Sequence, residues 1–191
     1  MTRAARKLHT QRPARRQQAR RRRRLPAVDV MVASVLWKSQ RNAKALVQRA
    51  IATAASAVST AGCEVAIVLT DDSAIRTLNR NWRQKNAATN VLSFPAHENL
   101  PPPLPRAEKQ RAKIGRVPRL LGDIVIAYET TEREARAERK PFAHHLTHLA
   151  VHGFLHLVGY DHMADEEAEA MEGLETAILA RLGVPDPYIA R

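Results

Sequence analysis

Three histidines in one short segment constrain the fold of this chain more than any other feature. His152, His156 and His162 are spaced four and then six residues apart, and Gly159 lies between the second and the third. At about 100° per residue, the first two lie one above the other on one helix face. Glycine adopts the left-handed turn that ends many helices. The sequence therefore predicts a helix and a turn that returns His162 to the other two.

Three converging imidazoles can chelate one divalent metal ion. A single histidine on a helix is more often an ordinary polar residue, so the prediction depends on the set of three. Three protein nitrogens leave one coordination position open, which is typical of catalytic rather than structural zinc sites. His145 and His148 share the helix face. We expect them to flank the site, because a fourth protein nitrogen would close it.

One class of zinc enzyme has the same histidine spacing. Metzincin proteases carry a glutamate directly after the first histidine, and it takes a proton from the attacking water. Here that position is Gly153. A protease built on this site would need a base from elsewhere in the chain, so proteolysis is an alternative rather than the first interpretation.

The segment 152–162 resembles the histidine signature of the YbeY family of metal-dependent endoribonucleases. Residues 78–83 with 89–95, and residues 122–126, are also similar to that family and follow in the same order. The resemblance implies hydrolysis of single-stranded RNA, with a role in ribosomal RNA maturation and ribosome quality control. The implied partners are ribosomal RNA and the ribosome or its subunits, and the implied cofactor is one zinc ion or another transition metal.

The same resemblance assigns roles to individual residues. It makes His152, His156 and His162 the metal ligands, and Arg83 the required arginine of the cleft. A guanidinium can donate two parallel hydrogen bonds to phosphate oxygens and stabilise charge that builds during phosphoryl transfer. Without the family, Arg83 is equally a solvated cation at a helix end. Asp123 and His148 are expected to support the ligands, although Asp123 is equally typical of a turn.

The sequence leaves the mechanism and two rival functions open. Either water or the RNA 2′-hydroxyl could attack, and no carboxylate stands at a fixed motif distance to serve as base. With 4% aromatic residues, we expect recognition through backbone charge and strand shape rather than base stacking. One rival is a metal-dependent hydrolase of another substrate, including a protease. The other is a non-catalytic ribosome-assembly factor with a structural metal.

The positive charge is concentrated at the N-terminus. The net charge is +12, but residues 1–24 hold 11 Lys and Arg and no acid, which leaves 20 bases against 19 acids in residues 25–191. We predict a disordered basic tail over residues 1–26, able to bind phosphates through counterion release. An incidental extension or an organelle transit peptide would look similar, although the tail lacks serine.

The rest of the chain predicts one domain over residues 27–191. No apolar run approaches 18 residues, so no membrane span is expected. Cys63 is the single cysteine, which excludes an internal disulfide and fits the cytoplasm. An organelle is expected instead if the source is eukaryotic and the tail is a transit peptide. The oligomeric state stays open.

Apolar periodicity predicts strands that alternate with helices. The predicted strands span residues 28–35, 64–69, 90–94 and 123–127, and the predicted helices span residues 42–58, 72–82, 129–138, the histidine segment and a last stretch from about 165. Residues 96–120 are rich in proline and basic residues, and predict a long loop. We therefore expect a single layered α/β or α+β domain. It has a mixed sheet of about four strands, about five helices, and a metal site on a helix and the turn after it.

Overall fold

The structure is a computed structural model that describes residues 26–58, 60, 62–96, 119–162 and 164–189. The predicted basic tail, apart from its last residue, lies outside the described residues, as does most of the predicted loop 96–120. Four strands and five α-helices are described. In chain order, with one 3-10 helix, they are β1 (Ala27–Val32), the 3-10 helix (Val35–Ser39), α1 (Ala43–Ala57), β2 (Cys63–Thr70), α2 (Asp72–Arg83), β3 (Val91–Pro95), β4 (Arg119–Ala127), α3 (Tyr128–Ala137), α4 (Phe142–Leu157) and α5 (Asp165–Leu182).

The strands form one mixed sheet in the order β1-β2-β4-β3. β1 and β4 both run parallel to the central β2, and β3 pairs antiparallel with β4. Parallel neighbours require crossover connections, which α1 supplies between β1 and β2. The predicted mixed four-stranded sheet with five helices is confirmed.

Helices cover both faces of the sheet. On one face, Ile124 and Ile126 of β4 belong to the main core with residues of α1, α4 and α5. On the other face, Val125 and Ala127 pack with Ile75 of α2 in a smaller cluster. Successive strand residues point to opposite faces, so α4 and α2 lie on opposite sides of β4. None of the described helices is long and apolar enough to cross a membrane.

Two strand boundaries differ from the sequence-based prediction by three residues or more, and the others differ by one residue or not at all. β1 ends at Val32 instead of continuing to residue 35, because the Ser34 side chain accepts a hydrogen bond from the Leu36 N–H (3.4 Å) and opens the 3-10 helix. β4 begins at Arg119 rather than Asp123, so the predicted loop 96–120 ends two residues too late.

Because of Gly122, the sequence predicted only the second half of β4. Its φ of +139° is a conformation that favours glycine, and a Cβ there would lie 2.1 Å from the carbonyl oxygen of Phe94. The register shifts beside it, between Glu64 and Val65 of β2. The sequence signal of a turn glycine thus marks an irregularity inside the strand, and Asp123 lies within β4 rather than at its start.

Local hydrogen bonds stabilise the starts of α2 and β2. The Asp71 carboxylate accepts a hydrogen bond from the Ala74 N–H (3.0 Å) and caps α2. Cys63 is buried at the start of β2, where its Sγ lies 2.8 Å from the Thr60 carbonyl oxygen.

Candidate metal centre

α4 carries two of the three histidines on one side and core residues on the other. Leu146, Ala150 and Phe154 are fully buried, whereas His152 and His156 are half-buried. The helix ends at Leu157, and Gly159 follows with a φ of +94°. A Cβ at Gly159 would meet no atom within 4 Å, so the backbone conformation is what favours glycine there. The predicted left-handed turn is confirmed.

The turn brings His162 beside the two histidines of α4. The ring centroids of His152 and His156 are 4.6 Å apart, and those rings lie 5.6 Å and 5.1 Å from the ring of His162. One ring nitrogen from each residue lies within 4.8 Å of the other two. The structure thus assembles the three predicted ligands from a helix and the segment after it.

Hydrogen bonds at Nδ1 fix the tautomers of two of these rings. His152 Nδ1 lies 2.8 Å from Oε1 of Glu175, and His156 Nδ1 lies 3.0 Å from the carbonyl oxygen of Tyr160. A carboxylate and a carbonyl oxygen can only accept, so both Nδ1 atoms are donors. In the neutral rings each Nε2 therefore carries a lone pair that is available to a metal.

The two Nε2 atoms face each other at 3.1 Å. Two lone pairs at this distance repel unless a cation lies between them. Burial lowers the pKa of His156, and repulsion between its protonated form and the neighbouring His152 and His162 lowers that pKa further, which disfavours a proton on the Nε2 of His156. Two zinc–nitrogen bonds at a tetrahedral angle would separate the nitrogens by about 3.3 Å. The donor set therefore fits zinc or a similar borderline ion.

Glu175 is a residue of the candidate site that the sequence analysis missed. It is completely buried on α5, and its Oε2 accepts hydrogen bonds from His148 Nε2 (2.9 Å) and from the Tyr188 hydroxyl. Burial alone would raise the pKa of Glu175, but the hydrogen bonds from His148 and His152 outweigh it and lower the pKa to about 2. Burial and the neighbouring Glu175 carboxylate raise the pKa of Tyr188. The carboxylate therefore stays ionised and holds the proton of His152 at Nδ1.

His148 and His145 occupy the same helix face but make different contacts. His148 shares the Glu175 carboxylate with His152, so it touches the residue that orients a ligand. His145 Nε2 instead lies 2.9 Å from Oε2 of Glu134 on α3. Of these two histidines, His148 shares a hydrogen-bond partner, Glu175, with a histidine of the three-histidine site, whereas His145 does not.

Gly153 brings α4 into close contact with the sheet. The Ser93 hydroxyl of β3 donates a hydrogen bond to the Gly153 carbonyl (3.0 Å). A Cβ at Gly153 would lie 2.9 Å from Cγ2 of Ile124 and 3.0 Å from Oγ of Ser93. The position where a metzincin protease has its glutamate is therefore too close to β3 and β4 to hold a longer side chain.

Arg83 and Asp123 lie on the other side of the sheet from α4. Arg83 is the exposed last residue of α2. Asp123 lies two residues before Val125 on β4, so its side chain points to the same sheet face as Val125, which packs with α2. No hydrogen bond or ion pair between described residues joins either side chain to the three histidines. The structure therefore does not bring these two predicted residues into contact with the ligands.

Comparison with known proteins identifies the family. The family model described as Endoribonuclease YbeY matches residues 33–183. That range contains all three blocks that carried the resemblance in the sequence.

The chain belongs to the YbeY family.

Its relatives within the YbeY family align over most of their length. A protein named Endoribonuclease YbeY from Bradyrhizobium diazoefficiens is 56% identical over 169 residues, which are 87% of this chain and 87% of that protein. A second protein named Endoribonuclease YbeY, from Nitrobacter hamburgensis, is 55% identical over 166 residues, which are 86% of this chain and 83% of that protein. A Thermotoga maritima protein of known solution structure is 20% identical, with a TM-score of 0.46 over 85% of this chain and 99% of that one.

Proposed function

We propose that this chain is a zinc-dependent endoribonuclease that cleaves single-stranded RNA and acts in ribosomal RNA maturation and ribosome quality control. Its relatives at 55–56% identity carry the name Endoribonuclease YbeY, and they align with the part of the chain that contains the candidate metal centre. The partners on this proposal are ribosomal RNA and the ribosome or its subunits, and the compartment is the cytoplasm.

One observation carries the metal part of this proposal. The Nε2 atoms of His152 and His156 lie 3.1 Å apart while both Nδ1 atoms are engaged as donors. His162 supplies the third nitrogen from the turn after α4. Three nitrogen ligands leave a coordination position for a substrate or water oxygen, and zinc, when bound, supplies Lewis-acid chemistry at a phosphodiester.

The chain's own residues have three further roles in this proposal. Glu175 holds the proton of His152 at Nδ1, so that the Nε2 atom of His152 faces the ion. His148 supports the same carboxylate. The Arg83 guanidinium binds phosphate oxygens and stabilises negative charge that builds on them. Asp123, exposed on the opposite sheet face, has no role that its contacts support.

Two other functions remain as alternatives. The close packing at Gly153 disfavours a metzincin-like protease, because the general base of that mechanism has no room there. A ribosome-assembly factor with a structural metal would hold the ion with the same histidines but would not turn over substrate.

We also infer that residues 27–191 carry the activity and that residues 1–26 act as a basic tail.

The discriminating experiment compares substrates on one preparation of the zinc-loaded protein. An unstructured RNA and a mixture of peptides are incubated with the protein, with and without a chelator. The endoribonuclease proposal expects RNA fragments that disappear with the chelator, and intact peptides. Peptide cleavage would favour the protease alternative, and RNA binding without fragments would favour the assembly factor.

A further inference from the structure

Trp82 is unusually exposed for so large an apolar side chain. It lies in the last turn of α2, one residue before Arg83, and 71% of its surface is accessible. At helical spacing it continues the stripe of Ile75 and Leu78, which packs on the sheet. At the end of the helix that stripe loses its cover, and the indole faces outward. Burying it would be favourable, so a partner that covers the indole would gain binding free energy.

The indole is held in place by one neighbouring ring. Its centroid lies 6.0 Å from that of Phe94 on β3, with the two planes at 66°, which is an edge-to-face contact. Such pairs stabilise a particular orientation of both rings. Trp82 is therefore a positioned aromatic surface rather than a loose side chain.

The chain segment that carries Trp82 is positively charged. Residues 73–96 contain Arg76, Arg80, Arg83 and Lys85 and no acidic residue, whereas residues 25–191 as a whole are nearly neutral. The four side chains are exposed, and the three arginines recur at helical spacing along one face of α2. Among the described residues, Trp82 is the only exposed large apolar side chain on α2 or β3. Trp82 lies on the Ile75 side of α2, about 100° around the helix from Arg83. An exposed aromatic beside a basic helix face suits a polyanion better than an apolar protein partner.

The Trp82 surface lies across one strand from the histidine site. Phe94, which contacts Trp82, is the neighbour of Ser93 on β3, and successive strand residues point to opposite faces. Ser93 donates a hydrogen bond to the carbonyl of Gly153, the residue after His152. Among the described strands, β3 is an edge of the sheet. A nucleic-acid strand that crosses this edge can contact Trp82 and the histidines together.

We infer that Trp82, seated against Phe94, is a base-stacking site for single-stranded RNA bound by the α2 arginines. This inference rests on the proposed function and extends it to a substrate subsite. Every base has a π-face, so stacking on one indole recognises single strands with little sequence preference. This inference replaces the expectation that RNA is recognised without base stacking. That expectation came from the low aromatic content, and a count of aromatic residues does not report which of them are exposed.

The two tryptophans of the chain make the test direct. Trp37 is buried, with its Nε1 2.7 Å from the Thr70 carbonyl oxygen, so of the two tryptophans only Trp82 can stack with a base and report it by fluorescence. Fluorescence is recorded for the wild type and for Trp82→Leu and Trp82→Phe. The ligands are a single-stranded adenylate hexamer and an abasic hexamer with the same backbone. Val35→Ala, at an exposed residue next to the opposite sheet edge, is the control.

The inference expects quenching of the wild type by the adenylate hexamer and little quenching by the abasic one. Trp82→Leu should lose this quenching and bind RNA between about 5-fold and about 100-fold more weakly. Its KM for RNA cleavage should rise by a similar factor while kcat is retained, and Trp82→Phe should lose less. Val35→Ala should bind and cleave like the wild type.

Two results would overturn the inference. Equal quenching by the two hexamers would mean that charge, not stacking, brings RNA to this surface. Trp82→Leu binding within twofold of the wild type, with normal cleavage, would remove the stacking site and leave the proposed function intact. If the wild type neither binds nor cleaves RNA, the proposed function fails together with this subsite.

Discussion

His152 Nδ1 lies 2.8 Å from Oε1 of Glu175, a carboxylate that is fully buried beneath the candidate metal centre. The contact joins α4 to α5 and fixes the tautomer of the first histidine. Carboxylates that hold the remote nitrogen of a ligating histidine orient the ring and raise its basicity. The affinity of the site for metal should therefore depend on a residue that does not contact the ion.

Replacing Glu175 with glutamine tests this dependence. Glu175→Gln keeps the size of the side chain but removes the charge that faces His152 and His148, so zinc affinity should fall by about 10-fold to 100-fold. Competition with a chromophoric zinc chelator measures the change. Glu169→Gln, on an exposed residue of the same helix, should leave the affinity unchanged. Equal affinities for the two variants would show that Glu175 does not tune the site.

The close approach at Gly153 gives a prediction about stability. In Gly153→Ala the new Cβ meets Ile124 and Ser93 at 2.9–3.0 Å, and relieving this contact should cost about 1–3 kcal/mol of unfolding free energy. Gly173→Ala is the matched control on α5, because a Cβ there meets nothing within 4 Å and alanine favours the helix by about 1 kcal/mol. Denaturant unfolding should move in opposite directions for the two variants. A stabilised Gly153→Ala would contradict the packing described for α4.

The sequence predicted the three-histidine cluster because its signal is local. Helical spacing places His152 above His156, and a glycine after the helix specifies the turn that returns His162. Glu175 was missed because its role depends on the packing of α5 against α4, which has no local signature. One signal was available, since Glu175 lies four residues after Met171 and three before Ile178, on the apolar stripe of α5.

Arg83 should matter for chemistry and not for the fold. Its side chain makes no ion pair or hydrogen bond within the described part of the chain, so Arg83→Ala should leave the melting temperature and zinc content unchanged. If the guanidinium stabilises charge on the phosphate, kcat for RNA cleavage should fall by about 100-fold to 1,000-fold. The control is Arg181→Ala, an exposed residue of α5. Cleavage by Arg83→Ala at the wild-type rate would remove Arg83 from the mechanism.

The basic N-terminus should affect RNA affinity through charge alone. Deleting residues 1–24 removes 11 Lys and Arg, so the slope of log affinity against log salt should become shallower. Binding should weaken mainly at low salt, while kcat is retained. Filter binding over a salt series and single-turnover cleavage measure the two quantities. A folded truncation that has lost kcat would show that the tail takes part in the chemistry.

The positions of Asp123 and Trp82, on the α2 side of the sheet, could not be predicted from the sequence alone. The sequence predicts Asp123 at the start of a strand because it follows a glycine. In the structure Gly122 lies inside β4, and the Asp123 side chain points to the same face as Val125, away from α4. Trp82 could be placed on α2 from the sequence, whereas its exposure depends on where the sheet beneath it ends. The exposure of Trp82 follows from the position of the sheet edge, and the placement of Asp123 follows from the irregularity at Gly122. Neither is a matter of local preference.

The most direct test of the central claim combines metal content with activity. Elemental analysis of the purified wild type should give one zinc or similar transition-metal ion per chain, together with cleavage of single-stranded RNA. His156→Ala, which removes one of the two facing Nε2 atoms, should lose both the ion and the cleavage while it stays folded by circular dichroism. Cleavage by a metal-depleted His156→Ala at the wild-type rate would contradict a catalytic metal held by the three histidines.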